Sequence, residues 1–203
     1  DGTLWAWGRN TDGQLGTQTS TSYVPLKVAG IGNVTDICAG YDHSIAVDSS
    51  GRVWTWGNNN NGQLGRSGTT NAPARVGSIY NARNVTAGYQ FSAALTQTDA
   101  LYCWGINDSG QLGINSTDTV STPRYTNHKF ESVEAGFYHC AAIDLNGNVY
   151  TWGKNEYGEL GIGNNINQLS PVMLNNITGK AISLGYNYTL IETEDDLVYA
   201  CGN

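Results

Sequence analysis

The chain has 203 residues, of which only 13% are charged, and its formal net charge is −7. Its ten Lys and Arg residues are scattered, whereas sequence-independent binding of nucleic acid needs clustered positive charge. No apolar run is long enough to cross a bilayer. We therefore expect neither nucleic acid nor membrane as a partner, and the length suits one domain with a substantial core.

The sequence repeats itself. A motif of the type Trp-x-Trp-Gly ends at Gly8, Gly57, Gly105, Gly153 and Gly202, whose numbers differ by 49, 48, 48 and 49. We predict repeats at approximately 1–50, 51–98, 99–146 and 147–195, with a final strand at 196–203. A fixed period of this size indicates a solenoid, a propeller or an array.

The second repeat shows the predicted elements in chain order. Residues 51–57 alternate apolar and polar side chains, which predicts a strand. Residues 58–65 are rich in Asn and Gly, which tolerate positive φ, and predict a loop. Pro73 marks an edge or a connection because proline cannot donate to a sheet ladder. Residues 84–88 and 91–95 complete a repeat of four short strands, which we interpret as one small antiparallel sheet.

Four cysteines occur at different places in the repeat: Cys38, Cys103, Cys140 and Cys201. A duplicated disulfide framework would place them at equivalent positions, and none forms the Cys-x-x-Cys pair typical of zinc sites. We interpret them as small buried apolar residues in strands.

The repeat resembles that of the regulator of chromosome condensation (RCC1) family over essentially the whole chain. Residues 57–65 and 40–44 carry the resemblance, as Gly-Asn-x-x-x-Gly-Gln-Leu-Gly and Gly-x-x-His-Ser. It implies an all-β fold, a β-propeller of four-stranded antiparallel blades, and family members typically close with seven. Three arrangements remain open for four repeats: part of a longer propeller, a self-closed ring of four blades, or an eight-bladed ring of two copies.

The candidate binding site consists of the two residues that directly follow each Ala-Gly or Leu-Gly pair. The first is always a large aromatic residue, and the second varies and is mostly polar. They are Tyr41 and Asp42, Tyr89 and Gln90, Phe137 and Tyr138, and Tyr186 and Asn187. Because each pair lies between two predicted strands, we expect all of them on one propeller face, and tyrosine is favoured at interfaces. The alternative is that the aromatic residues only fill the mouth of the channel.

No group of residues points to catalysis. His43 and His139 occupy one place of the repeat, which Phe91 and Tyr188 occupy elsewhere, so we predict a packing and hydrogen-bonding role. Asp42, His43 and Ser44 are neighbours on an extended strand, so their side chains point to opposite faces and form no triad. We expect no catalytic residues, no metal site and no cofactor.

The sequence therefore predicts a non-catalytic propeller scaffold that binds a protein partner of unknown identity through its aromatic-rich loops. Pairing of the open propeller ends predicts a homodimer as well, because an unpaired sheet edge favours association. The resemblance implies an alternative, guanine nucleotide exchange on a Ran-like small GTPase. The uniform repeats, which hold no long insertion, argue against it. No targeting signal is visible, and we assign no compartment because the chain opens inside a repeat motif.

Overall fold

The structure is a computed structural model that describes residues 1–68 and 70–203. In this part of the chain, sixteen β-strands form four antiparallel sheets and there is no helix, which agrees with the predicted all-β class. Among the described residues, no helix has the length and apolar character needed to cross a membrane.

The sheets follow one another along the chain, with strands paired in sequential order. The first contains β1 (Trp5–Gly8) and β2 (Ser22–Lys27). The second contains β3 (Val34–Ala39), β4 (His43–Asp48), β5 (Val53–Gly57) and β6 (Ala74–Arg75). The third contains β7 (Ala82–Ala87), β8 (Phe91–Thr96), β9 (Ala100–Gly105) and β10 (Val120–Lys129). The last contains β11 (Ser132–Ala135), β12 (His139–Ile143), β13 (Asn148–Gly153), β14 (Gln168–Leu184), β15 (Tyr188–Thr193) and β16 (Val198–Gly202).

The six-stranded sheet is one blade joined to most of another through the long strand β14. The first part of β14 pairs with β13, and its second part, from Gly179 onward, pairs with β15. The described chain thus holds three four-stranded blades, preceded by two strands of one blade and followed by three strands of another. The first strands of successive blades, β3, β7 and β11, pack against one another and therefore lie innermost.

One sequence repeat does not form one sheet, so that interpretation was wrong. Strand β5 pairs with β4, which belongs to the preceding repeat, whereas β7 and β8 belong to the next blade. The reason is the tight turn between β4 and β5, closed by a 2.8 Å hydrogen bond from Gly51 N to Asp48 O. Likewise β16, at the start of the last motif, is the third strand of its blade and not the first. The boundaries of the blades are therefore shifted by two strands from the boundaries of the sequence repeats.

The core lies between the blades. Ile45 and Val53 of one blade pack with Val85 of the next. All four cysteines are free thiols. Cys103 and Cys140 are buried in strands, as predicted, and burial raises the pKa of their thiols, whereas Cys38 and Cys201 are only partly buried. Burial of apolar surface between blades is the main force that holds them together.

A repeated hydrogen bond also joins neighbouring blades. The indole Nε1 atoms of Trp56, Trp104 and Trp152 each donate to the backbone oxygen of a glutamine in the preceding Gln-Leu-Gly loop, at 2.8, 2.9 and 3.0 Å. The glycine of this loop adopts the left-handed region, with φ +64° at Gly65, and a Cβ there would lie 2.7 Å from the indole nitrogen of Trp104. The Gln-Leu-Gly sequence is therefore explained by packing between blades.

Candidate protein-binding face

The turns between the first and second strands of successive blades lie together at one end of the propeller. In an antiparallel blade, this turn and the loop between the third and fourth strands leave the sheet at the same end. A 2.9 Å hydrogen bond from Asn58 N to Asp42 O joins the two in the first complete blade. The first-place aromatic residues of these turns form a group that we call the aromatic face: Tyr41, Tyr89, Phe137 and Tyr186.

The aromatic face is one continuous cluster. Ring centroids lie 4.9 Å apart for Tyr41 and Tyr89, 4.6 Å for Tyr89 and Phe137, and 4.1 Å for Phe137 and Tyr186. Most of these spacings are those of attractive aromatic pairs. Together with the Ala-Gly and Leu-Gly residues that precede them, rings of this cluster line an open cavity of about 280 Å³. Tyr41 and Tyr186 remain 56% and 58% exposed, whereas Tyr89 and Phe137 are half-buried.

Direct backbone contacts between turns fix this spacing. Tyr41 N donates to Gly88 O at 3.3 Å, and Tyr89 N donates to Phe137 O at 3.0 Å. The glycine before each aromatic residue permits this approach, because a Cβ on Gly88 would lie 2.5 Å from the backbone oxygen of Gly136. The Ala-Gly-aromatic sequence thus places successive rings against one another.

Asp42 and Gln90, both predicted site residues, are directed at each other. Gln90 Nε2 donates to Asp42 Oδ2 at 3.2 Å, and Gln63 Nε2 donates to Asp42 Oδ1 at 3.4 Å. Burial acts to raise the pKa of Asp42, but the contact with His43 and the hydrogen bonds from Gln90 and Gln63 outweigh it and lower that pKa. Asp42 is buried, so it braces neighbouring loops beneath the surface.

Tyr138 and Asn187, the remaining second-place residues, differ in their surroundings. The Tyr138 ring packs edge-on against Tyr89 and Phe137, with centroids at 5.3 and 4.9 Å, and burial raises its pKa. Tyr138 thereby adds a further ring to the cluster. Asn187 is half-buried, and its backbone oxygen accepts a 2.9 Å hydrogen bond from Asn203 N.

Sequence reasoning missed a lysine at the edge of the aromatic face. Lys154 Nζ lies 5.7 Å from the ring centroids of both Tyr138 and Tyr157, within the range of cation–π attraction. Its 2.8 Å ion pair with Glu156 raises the pKa of Lys154. The sequence held one signal for it: Lys154 directly follows the Trp-Gly motif, at the place that Asn58 occupies in the second repeat.

The two histidines that share a place in the repeat join neighbouring blades, which confirms their predicted packing role. His43 Nε2 lies 2.9 Å from Ser92 Oγ, and His139 Nε2 lies 3.0 Å from Thr189 Oγ1, each in the next blade. Ser44 Oγ instead donates to Gln14 O at 2.8 Å, so Asp42, His43 and Ser44 do not form a triad. Within residues 1–68 and 70–203, no three His, Cys, Asp or Glu side chains are grouped to hold a metal ion.

Successive four-stranded antiparallel blades whose first strands lie innermost define a β-propeller fold. The chain belongs to the RCC1-like domain family, whose model matches residues 1–203, and this confirms the resemblance found in the repeats. No curated protein matches the chain.

Solved structures that share the fold include the following three. Yeast RCC1 (Prp20) bound to Kap60 has a TM-score of 0.88 at 24% identity, over 99% of this chain and 52% of that one. Prp20p from Saccharomyces cerevisiae, described with its binding to Gsp1p and histones, has a TM-score of 0.83 at 25% identity, over 99% and 52%. Human WBSCR16 has a TM-score of 0.89 at 19% identity, over 100% and 61%. The chain spans between about half and three-fifths of the length of these proteins.

Proposed function

We propose that the chain is a non-catalytic β-propeller scaffold that binds another protein through the aromatic face. The observation that carries the proposal is the continuous ring cluster at one end of the propeller, with Tyr41 and Tyr186 more than half exposed. Tyrosine offers a large contact area at a low cost in conformational entropy and is common among binding hot spots. Tyr89 packs against Tyr41, and Phe137 packs against Tyr186, so the half-buried rings support the exposed ones.

The related structures support the class of function. Prp20 is described in a complex with Kap60, and Prp20p by its binding to Gsp1p and histones, so these propellers bind proteins. We carry over to this chain only the general role of binding a protein, because sequence identity is about one quarter and this chain spans about half of those proteins.

The test separates the aromatic face from the opposite end of the propeller. In the double variant Tyr41→Ala/Tyr186→Ala, both exposed rings are lost, while the half-buried rings that pack between blades remain. Tyr80→Ala is the matched control, since Tyr80 is 64% exposed and its backbone oxygen lies beside Gly51 in a turn at the opposite end. Proteins captured by the native chain and by Tyr80→Ala, but not by the double variant, would support the proposal. Equal capture by all three would overturn it.

Guanine nucleotide exchange on a Ran-like GTPase is the alternative function. The connections between third and fourth strands, which lie on the aromatic-face side, have similar lengths in the four blades that contain one, and none carries a long insertion that could enter a nucleotide site. Accelerated release of labelled GDP from a Ran-like GTPase, lost in Tyr41→Ala/Tyr186→Ala, would support exchange activity in place of a simple scaffold.

Self-association is the alternative proposal for the open ends. Two copies would meet with β14, β15 and β16 of one chain against β1 and β2 of the other. Strands β1 and β16 are each the third strand of a blade. A blade has room for only one third strand, so one of the two would have to be displaced when the two chains close a four-stranded blade. Light scattering after gel filtration tests this directly. A mass of two chains supports the homodimer, and a mass of one chain overturns it.

A further inference from the structure

An arginine joins two blades at the end of the propeller opposite the aromatic face. Arg83 lies in β7, and its Nη2 donates to Asp99 Oδ1 at 3.1 Å, in the turn between β8 and β9 of the same blade. The same nitrogen donates to two backbone oxygens of the next blade, Phe130 O at 3.2 Å and Glu131 O at 2.6 Å. A guanidinium can do this because it carries five donors in one plane.

The next pair of blades has a glutamate at the place of this arginine. A backbone hydrogen bond to a turn of the preceding blade marks the place in three blades, and its donors are Ala82 N at 3.0 Å, Phe130 N at 2.9 Å and Gly179 N at 2.9 Å. Arg83 directly follows the first of these donors, and Glu131 directly follows the second. An ionised carboxylate only accepts hydrogen bonds, so Glu131 cannot form the bridge that Arg83 forms.

A cavity of about 440 Å³ lies at the place of the missing bridge. Its lining includes Gly147, Gly179 and Lys180, which take the places of the three residues to which Arg83 Nη2 donates. Within residues 1–68 and 70–203, no side chain donates a hydrogen bond to the backbone oxygen of Gly179 or Lys180. The cavity therefore lacks the cationic donor that the preceding pair of blades has.

Carboxylates from two neighbouring blades line this cavity. Glu131 lies directly before β11, and Glu194 lies in the turn between β15 and β16. Both side chains are exposed, and neither forms an ion pair with any residue in the described part of the chain. Lys180 also lines the cavity, but Glu192 and Asp196 already hold its Nζ at 2.9 and 2.8 Å. The cavity thus has a negative charge that the chain does not neutralise.

The lining also has an apolar part. Leu145, in the turn between β12 and β13, borders the cavity and is 62% exposed. An arginine side chain combines an apolar stem with a planar cation that pairs with carboxylates through two hydrogen bonds. A metal ion fits less well, because no three His, Cys, Asp or Glu side chains of the described residues are grouped to hold one.

We propose that this cavity binds an arginine side chain of a protein partner, whose guanidinium takes the place that Arg83 has in the preceding pair of blades. The guanidinium pairs with Glu131 and Glu194, and the apolar stem packs against Leu145. The turns that form the site leave their blades at the end opposite the aromatic face, so binding here does not require the aromatic rings.

The first experiment uses the ¹⁵N-labelled chain and a capped Gly-Arg-Gly peptide. We expect saturable changes in the amide resonances of Leu145 and Gly147. A peptide with neutral citrulline in place of arginine should bind about tenfold more weakly, the effect of one hydrogen bond to a charged group. Equal binding of the two peptides, or the same resonance changes with calcium chloride alone, would overturn the proposal.

Two double variants assign the preference to the cavity. Glu131→Gln/Glu194→Gln should lose the preference for arginine over citrulline. Asp108→Asn/Asp118→Asn should keep it, because this control removes two exposed carboxylates from a loop at the aromatic-face end and changes the net charge equally. An undiminished preference in Glu131→Gln/Glu194→Gln would overturn the proposal.

A further variant fills the cavity from within the chain. Glu131→Arg restores a guanidinium at the place of Arg83, so the arginine peptide should no longer change the Leu145 and Gly147 resonances. Circular dichroism checks that the variant is folded, which we expect because Glu131 is exposed. A folded Glu131→Arg chain that binds the peptide as well as the native chain would contradict the proposed position of the guanidinium.

Discussion

The indole Nε1 of Trp104 donates a 2.9 Å hydrogen bond to the backbone oxygen of Gln63, which lies in the preceding blade. The same carbonyl accepts the hydroxyl of Ser92 at 2.8 Å, so one loop oxygen receives two donors from the next blade. Trp56 and Trp152 repeat the contact. These bonds connect residues about 40 positions apart and fix the angle between successive blades.

Trp104→Phe should lower the free energy of unfolding by about 2 kcal/mol, because it removes a buried hydrogen bond and leaves a small cavity. Trp7→Phe is the matched control: Trp7 holds the same place in the repeat but is 61% exposed, and none of the described residues accepts its N–H. Urea unfolding monitored by circular dichroism measures both. Equal effects of the two substitutions would contradict the role of the inter-blade bond.

Stability should depend on pH through His139. Burial lowers the pKa of His139 to about 4 in the folded chain, compared with about 6.5 when unfolded. The unfolded state then binds more protons between these values, so stability is full above pH 6.5 and falls as pH drops toward 4. The loss is on the order of 3 kcal/mol. Urea unfolding at pH 7.5, 5.5 and 4.5 tests this. In His139→Phe, the free energy of unfolding should change less with pH than in the native chain. If it changes equally in both, the pH dependence comes from other groups.

Gly88→Ala should destabilise the fold. A Cβ at Gly88 would lie 2.1 Å from Phe91 Cε1 and 2.5 Å from Gly136 O, so two packed turns would have to separate. Overpacking of this kind costs about 1–3 kcal/mol. Gly77→Ala is the control, because no atom lies within 4 Å of its added Cβ. Thermal unfolding should show a lower Tm for Gly88→Ala alone; equal Tm values for both variants would show that the turns tolerate a side chain.

Glu159→Gln should stabilise the chain by about 1 kcal/mol. Glu159 is buried, and its Oε1 has no hydrogen-bond partner within the described structure, whereas its Oε2 accepts from Tyr157 N at 2.8 Å. The equivalent residues Gln63 and Gln111 use the amide nitrogen at this place to donate hydrogen bonds. Glu131→Gln is the control, since its exposed side chain forms no hydrogen bond with any described residue. A lower Tm for Glu159→Gln would indicate that the buried charge itself is needed.

The aromatic face shows which features a short sequence motif can predict and which it cannot. The sequence predicted that Tyr41, Tyr89, Phe137 and Tyr186 occupy equivalent turns, because the Ala-Gly-aromatic motif recurs at a fixed spacing. It did not predict that Asp42 is buried under Gln90 or that Lys154 lies over Tyr138. Those contacts join different turns and loops, and their geometry depends on how the blades pack.

The sequence by itself determined the period, the short strands, the tight turns and the fold class, because each depends on side chains within a few residues of one another. The tertiary structure decided which strands share a sheet. A blade takes its first two strands from one repeat and its last two from the next, since the Asp48–Gly51 turn pairs β4 with β5 while the longer connection after β6 crosses to the next blade. Hydrogen bonds between strands and between blades join residues far apart in the chain, and no local pattern specifies them.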